Sequence, residues 1–114
     1  MLKKIECFVR SSKLEDIKDR LIELGVEGMS VSNILGFGRL QTMTPEEKVG
    51  GKVKLLERVR IEIVIEEDRV DELVGEIKRL ARTGTVGAGK IFIIPVEDAV
   101  RISTAETGRI AVRK

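Results

Sequence analysis

The segment of residues 83–92, TGTVGAGKIF, has the residue types and spacing of a possible anion site. Gly84, Gly89 and Lys90 satisfy the first part of the phosphate-binding loop pattern, in which backbone N–H groups surround phosphate oxygens and a lysine reaches the terminal ones. The next residue is Ile91, whereas that pattern requires Ser or Thr there to hold magnesium. Taken alone, the segment fits either another kind of anion site or a flexible turn with a solvated lysine.

The elements on either side of this segment also differ from those of a phosphate-binding loop. Upstream, apolar residues recur at helical spacing from Asp68 onward, and Gly84 suits the position after a helix end. Downstream, residues 91–96 have the pattern of a short buried strand. A phosphate-binding loop instead follows a strand and opens a helix, whose N-terminus adds positive charge to the site. The order helix, loop, strand therefore excludes a Walker motif.

The chain has few groups suited to covalent or metal chemistry. It contains no histidine, and its one cysteine, Cys7, lies in an alternating apolar stretch that predicts a buried strand thiol. Glu66 and Glu67 are adjacent and precede a predicted helix, where their charge suits the helix dipole better than acid–base catalysis. The sequence therefore predicts no catalytic residues, no metal site and no enzyme activity.

Length and composition indicate one globular domain, residues 1–114. The chain is 42% hydrophobic and 35% charged, which is typical of soluble folded proteins. Its net charge of +2 is too balanced to indicate nucleic acid as a partner. No apolar run approaches the roughly 20 residues that span a bilayer, so we expect a cytoplasmic protein that does not insert into a membrane.

The order β-α-β occurs twice along the chain. Strands are predicted at residues 2–9, 29–35, 53–65 and 90–96. One helix follows Ser12, which fits a capping box with Glu15, and ends near Gly25; the other begins at about residue 68. This order predicts an α+β, ferredoxin-like β-α-β-β-α-β sandwich, with a four-stranded antiparallel sheet and both helices on one face. The other face must be solvated, bind a ligand or be covered, and its shortage of wholly polar strands favours a second subunit.

The connector between the halves reads RLQTMTPEEKVGGKVKLLE and is longer than an ordinary hairpin loop. Loops of this length in small domains are often functional, which favours a projecting loop that contacts a partner. A disordered linker is the alternative, since the connector is polar and contains glycine.

Three segments in this order, GMSVSNILGFGR, RIEIVI and TGTVGAGKIFIIPVEDAVRI, resemble the PII nitrogen-regulatory signal-transduction family over nearly the whole chain. The resemblance implies a non-catalytic homotrimer with nucleotide sites in clefts between subunits. It also implies a T-loop at about 38–55, a B-loop at about 83–90 and a C-terminal segment at about 101–114. The T-loop would dock on a target enzyme or on a membrane transporter such as an ammonium transporter, and so regulate nitrogen or carbon metabolism.

The same resemblance assigns an effector, an adenine nucleotide (ATP, ADP or AMP), and a set of residues to bind it. Ser30, Glu62 and Val64 would line the adenine end with a hydroxyl, an acceptor and an apolar wall. The remaining residues would contact phosphates from the B-loop, from the base of the T-loop and from the C-terminal segment. They are Gly36, Phe37, Gly38, Arg39, Gly87, Ala88, Gly89, Lys90 and Arg101.

Several positions depart from the family pattern. Leu40 stands where relatives that sense 2-oxoglutarate have a glutamine that helps to hold magnesium, and Arg58 stands where they have a lysine. Ser103 replaces a second phosphate-facing arginine, and the chain has no tyrosine to be uridylylated. These departures disfavour magnesium-dependent 2-oxoglutarate sensing and leave nucleotide binding as the expected function.

Three alternatives remain: a PII-like sensor of another small ligand, a structural trimer without ligand, and an RNA-binding module. RRM domains share the β-α-β-β-α-β order, and GFGR is similar to part of their RNP1 motif. That motif needs stacking aromatic residues on a central strand, but Phe8, Phe37 and Phe92 are the only aromatic residues in the chain. The composition therefore disfavours RNA binding.

Overall fold

The computed structural model describes residues 1–37, 48–49, 52–82 and 89–112. Short 3₁₀ turns, Ser11–Lys13 and Glu67–Arg69, precede the two longer helices. The elements in chain order are β1 (Leu2–Val9), α1 (Leu14–Glu23), β2 (Ser30–Gly36), β3 (Lys48–Val49), β4 (Lys52–Val53), β5 (Leu56–Glu66), α2 (Val70–Ala81), β6 (Gly89–Val96) and α3 (Arg109–Val112).

Four of the strands form one antiparallel sheet in the order β2-β5-β1-β6. The two central strands are β1 and β5, and they pair along their length from Leu2↔Glu66 to Val9↔Val59. This topology, with two helices packed on the sheet, confirms the predicted ferredoxin-like α+β fold. Strands β3 and β4 form a separate two-stranded ribbon within the connector, which the sequence pattern did not predict.

The core lies between one face of the sheet and helices α1 and α2. Alternate residues of β1 and β5 point to this face, because successive side chains of a strand point to opposite sides. Each helix contributes an apolar stripe, so one layer of aliphatic side chains joins sheet to helices. The buried cluster comprises Ile5, Cys7, Val9, Ile17, Leu21, Val59, Ile61, Ile63, Ile65, Leu73, Ile77 and Ala81.

The opposite, open face of the sheet is mixed in character. Its centre carries charged side chains from β1 and β5, among them Lys4, Glu6, Arg60 and Glu62. Its β6 side is more apolar, since Phe8 and Phe92 make an edge-to-face contact with ring centroids 5.8 Å apart. The alternation of side chains along β1 and β5 determines which of their residues lie on this face, as the sequence pattern indicated.

The helix ends agree only partly with the sequence signals. The predicted capping box of Ser12 and Glu15 is wrong, because Ser12 is taken up in the 3₁₀ turn and α1 begins at Leu14 without a side-chain cap. Gly25 does follow the end of α1 and has φ +82°, a conformation that glycine adopts without strain. The predicted stop at Gly84 lies outside the described residues.

Cys7 is fully buried on β1, as predicted. Its Sγ lies 3.8 Å from the carbonyl oxygen of Ile61, to which the thiol donates. Burial raises the pKa of the Cys7 thiol to about 11, because the charged thiolate is disfavoured away from water. The group therefore stays protonated and unreactive near neutral pH.

The C-terminal segment after β6 folds back along the sheet. Asp98 fixes its first turn, since Oδ1 accepts hydrogen bonds from the backbone N–H of Ala99 at 2.8 Å and of Gly108 at 3.0 Å. Arg109 then forms an ion pair with Glu66 at the end of β5, with Nη2 and Oε2 3.0 Å apart. These contacts place α3 beside the sheet.

None of the described helices is long and apolar enough to cross a membrane.

Truncating a side chain at the centre of the buried layer should cause a large loss of stability. Leu73 is completely buried on α2, so Leu73→Ala should lower the free energy of unfolding by about 2–5 kcal/mol through lost apolar contact and a residual cavity. Ile22→Ala is the matched control, because Ile22 is 63% exposed on α1 and should change stability little. Urea unfolding at fixed protein concentration measures both. Equal effects of the two substitutions would contradict this description of the core.

Asp98 should control the order of the C-terminal segment. Asp98→Ala removes the acceptor shared by two backbone N–H groups. The Gly108 N–H keeps the carbonyl oxygen of Ala99 at 3.0 Å, so the Ala99 amide is the one that should exchange with solvent about tenfold faster. Glu97→Ala is the control, since Glu97 is an adjacent exposed carboxylate outside this turn. Hydrogen exchange followed by mass spectrometry compares the two variants. Unchanged protection of residues 99–112 in Asp98→Ala would show that the turn is held by other contacts.

Candidate functional site

An open cleft of about 650 Å³ lies between the open face of β5, the start of β2 and the C-terminal segment. Of the residues predicted to bind nucleotide, four line it together: Ser30, Glu62, Val64 and Arg101. These four come from three separate parts of the chain. The cleft is therefore the strongest candidate for a ligand site in the described structure.

The antiparallel register of β2 and β5 forms one end of this cleft. Ser30 pairs with Glu62, so the hydroxyl and the carboxylate lie side by side on the open face. Val64 is two residues further along β5 and points to the same face, because strand side chains alternate with a period of two. A hydroxyl, an acceptor and an apolar surface are thus adjacent, which is the combination predicted for a nucleobase.

Three charged residues lie around the Glu62 carboxylate: Lys4, Glu6 and Arg60. The ammonium group of Lys4 pairs with Glu62 and also lies 3.2 Å from Oε2 of Glu6. On the other side, Nε of Arg60 lies 3.4 Å from Oε1 of Glu62 and donates to Oγ of Ser32 at 3.2 Å. Both carboxylate oxygens of Glu62 therefore face a cation.

This cluster stabilises the charged forms of its members. The hydrogen bond from Lys4 lowers the pKa of Glu62, and the neighbouring positive charges of Lys4 and Arg60 act in the same direction. The reciprocal hydrogen bonds to Glu62 and Glu6 raise the pKa of Lys4. At neutral pH the cleft consequently contains an ionised acceptor next to an ionised donor.

Arg101 enters the cleft from the C-terminal segment and is held by local contacts. Its Nη2 donates to the carbonyl oxygen of Ala111 at 3.3 Å, and its Nε lies 3.8 Å from Oε1 of Glu106. The backbone N–H of Arg101 also donates to the carbonyl of Glu106 at 2.8 Å. The guanidinium group is therefore positioned at the cleft by the same turn that places α3.

The other described candidates lie away from this cleft. Gly36 pairs with Leu56 at the far end of β2, and Phe37 follows it with an exposed ring. Gly89 and Lys90 lie at the start of β6, on the edge of the sheet opposite to β2. The remaining candidates, Gly38, Arg39, Gly87 and Ala88, lie outside the described residues, as do most of the predicted T-loop and B-loop.

Gly89 has a structural reason to be glycine that is independent of any ligand. Its φ is +125°, a region that other residues rarely adopt, and a Cβ at this position would lie 2.0 Å from the carbonyl oxygen of Phe8. Close approach of β6 to β1 therefore requires glycine here. The glycine-rich pattern that suggested an anion site is explained at this one position by strand packing.

Several residues of the cleft were not predicted from the sequence. Lys4 lines it from β1, and Ala111 and Val112 line it from α3. Lys4 reaches Glu62 only because the strand register pairs Glu6 with Glu62, and register is not visible in the spacing of either strand. Across the described ranges, no group of three or more His, Cys, Asp or Glu residues is placed to hold a metal ion.

Comparison with known proteins agrees with this architecture. The family model for nitrogen regulatory protein P-II matches residues 2–106. A nitrogen regulatory protein P-II of Microchaete diplosiphon is 44% identical over 114 residues, covering 97% of this chain and 100% of that protein. Nitrogen regulatory protein P-II 1 of Methanothermobacter thermautotrophicus is also 44% identical, covering 97% of each chain.

A solved structure shows the same fold. The crystal structure of Arabidopsis thaliana PII bound to citrate superposes with a TM-score of 0.80 at 34% identity, covering 96% of this chain and 91% of that one. The matched family model spans the sheet, both long helices and the first part of the C-terminal segment. The chain therefore belongs to the nitrogen regulatory protein P-II family of signalling proteins.

Proposed function

We propose that this protein is a non-catalytic signalling trimer that binds an adenine nucleotide in clefts between neighbouring copies. Binding would control how the segment of residues 38–55 docks on a target enzyme or on a membrane transporter such as an ammonium transporter. The observation that carries the proposal is the cleft that brings Ser30, Glu62, Val64 and Arg101 together. We expect the protein to act in the cytoplasm on nitrogen or carbon metabolism.

The chemistry of the cleft suits a nucleotide with its base at the β2–β5 end. An ionised Glu62 accepts a hydrogen bond from an exocyclic amine, the Ser30 hydroxyl donates or accepts, and Val64 contacts a flat apolar ring. Arg101 supplies a fixed positive charge of the kind that binds phosphate oxygens. These groups support an adenine base and an adjacent phosphate within one cleft.

The separation of the two predicted phosphate-binding cations supports a site shared between copies. Arg101 lines the cleft beside Lys4, and Lys4 pairs with Ile94 of β6. Lys90 is four residues from Ile94 in β6, so the backbones of Lys90 and Ile94 are about 13 Å apart along the strand. Lys90 also lies on the edge strand opposite to Ser30. Two neighbouring copies would place Arg101 of one and Lys90 of the other on the same phosphates.

The exposed apolar residues of the sheet support self-association. Strand β6 is an edge strand, and its Phe92 and Ile93 are 47% and 48% exposed although they point to opposite faces. On the other edge, Val31 and Leu35 of β2 are also exposed. Exposed apolar edges of this kind are covered in stable soluble proteins, and a second copy of the chain is the simplest cover.

The structure gives no support to the RNA-binding alternative. The open face of β5, a central strand, carries Arg58, Arg60, Glu62 and Val64, none of which is aromatic. Phe8, on the other central strand, packs edge-to-face on Phe92. The face therefore lacks the stacking residues that an RRM needs on this strand, and we expect no nucleic-acid partner.

Trimer formation is directly testable. Light scattering at micromolar concentration should give a particle with three times the 12.7 kDa mass of one chain. Phe92→Lys places a charge on the exposed apolar edge and should shift the particle towards smaller species. A wild-type protein that is monomeric at this concentration would contradict two proposals: that a second copy covers the exposed apolar residues of the sheet, and that the nucleotide site is shared between copies.

Nucleotide binding should depend on Lys90 more than on Lys52, although both substitutions remove one positive charge. Losing a charge-assisted phosphate contact in Lys90→Ala should weaken binding roughly 10–100-fold. Lys52→Ala is the control, since Lys52 is exposed on β4 and its charge is screened by water and salt. Calorimetry with ATP, ADP and AMP on folded trimers at fixed salt measures both. Equal affinities of Lys90→Ala and wild type would remove residues 83–92 from the site.

Mixed trimers test whether the site is shared between copies. Lys90→Ala and Arg101→Ala each disable every site in a trimer of one variant, but a mixed trimer contains some sites built from an intact Lys90 and an intact Arg101. Differently tagged copies, coexpressed and purified together, should therefore recover tight binding at a fraction of their sites. Mixed trimers without recovery would place both residues in a site of one chain. If the wild-type protein binds citrate but none of the three adenine nucleotides, a sensor of another ligand would be favoured instead.

A further inference from the structure

Two carboxylates face each other beside the cleft, and one of them, Glu62, lines it. Glu6 of β1 and Glu62 of β5 are directly opposite in the antiparallel register, on the open face of the sheet. Like charges at such positions destabilise a strand pair, and they favour protonation or reorientation of one partner. A cation that contacts both carboxylates therefore offsets their repulsion and stabilises this pairing.

Lys4 is that cation. Its ammonium group contacts carboxylate oxygens of both Glu6 and Glu62, and Lys4 itself lines the cleft. Arg60 also approaches Glu62, but its Nε is shared with the Ser32 hydroxyl and it does not line the cleft. The position and the charge of the Glu62 carboxylate thus depend first on Lys4.

We propose that Lys4 is a positioning residue that sets base selectivity, by holding Glu62 as an acceptor-only carboxylate that favours adenine over guanine nucleotides. This inference rests on the proposed function, in which the cleft binds the base of a nucleotide. Lys4 acts on the base through Glu62 and needs no contact with the ligand.

The selectivity follows from the edges of the two bases. Adenine presents an exocyclic N6 amine, which donates, where guanine presents the O6 carbonyl, which accepts. An ionised carboxylate only accepts hydrogen bonds, so it pairs with the amine and repels the carbonyl. Its two oxygens have about four lone-pair sites, so the contacts with Lys4 and Arg60 leave capacity for a ligand. A protonated carboxyl could donate to O6 and would lose the discrimination.

The electrostatics of the cluster agree with this role. The pKa of Glu62 is lowered chiefly by the hydrogen bond from Lys4, and the pKa of Lys4 is raised chiefly by the same contact. Without Lys4, Glu6 and Glu62 would retain only Arg60 as a nearby cation among the contacts described. The Glu62 carboxylate would then bind a proton more readily and would be free to turn away from Glu6.

Lys3 provides a matched control on the same strand. It carries the same charge, but it pairs with Ile65 in the register, points to the other face of the sheet and contacts Glu67 at 3.7 Å. It does not line the cleft. Lys3→Met therefore removes the same charge from β1 without altering Glu62.

The experiment compares ATP and GTP binding by calorimetry for wild type, Lys4→Met, Lys4→Arg and Lys3→Met, on folded oligomers at fixed salt and pH. We expect wild type to prefer ATP and Lys4→Met to lower the ratio of ATP to GTP affinity by about tenfold, the size of one charge-assisted hydrogen bond. Lys4→Arg should keep most of the preference, and Lys3→Met should keep all of it.

The outcomes separate this inference from the proposed function. If wild type binds no adenine nucleotide, the proposed function fails and the inference fails with it. If wild type prefers ATP and Lys4→Met keeps that ratio, or loses affinity for ATP and GTP equally, the role of Lys4 in selectivity is wrong while the function stands.

Glu62→Gln provides a second test that keeps Lys4 in place. The amide can donate to O6 as well as accept from N6, so this variant should lose selectivity to a similar extent. If Lys4→Met does not fold, the Glu62→Gln variant still tests whether the Glu62 carboxylate sets base selectivity. An unchanged ratio in Glu62→Gln would overturn the inference.

Discussion

The antiparallel register of β1 with β5 is the constraint on which the core and the cleft both depend. It sets Ile5 and Cys7 against Ile63 and Ile61 on the helix side, and sets Glu6 against Glu62 on the open side. A slip by one residue would exchange the two faces and place charges in the core. The core therefore helps to hold the cleft in register, because the apolar layer against α1 and α2 disfavours such a slip.

Alternation and helical spacing were sufficient to predict the fold, because each element has an apolar period that matches its structure. The four strands of the main sheet and both long helices lie within a few residues of their predicted positions. Local signals were less reliable where two structures compete for the same residues. Ser12 has the chemistry of a helix cap, but the 3₁₀ turn at residues 11–13 takes it up and moves the start of α1 to Leu14.

The cleft could not be predicted from periodicity, because it joins residues that are distant in sequence. The family resemblance supplied Ser30, Glu62, Val64 and Arg101, and the structure shows why they are neighbours: a strand pair and a C-terminal turn bring them together. Lys4 was not predicted by either route. Its importance depends on which residues of β5 lie near it on the open face, and that is a property of register rather than of composition.

The position of the connector suggests how a ligand in the cleft could influence a partner. The connector leaves the sheet after Gly36 and returns at Leu56, and these two residues are paired in the β2–β5 register. The proposed base site, Ser30 with Glu62, lies six residues away on the same strand pair. A ligand that changes the packing of β2 on β5 would therefore act on both ends of the connector together. If the remaining contacts come from a second copy, as we propose, occupancy would also couple neighbouring connectors, since one ligand would stabilise the contact between two chains.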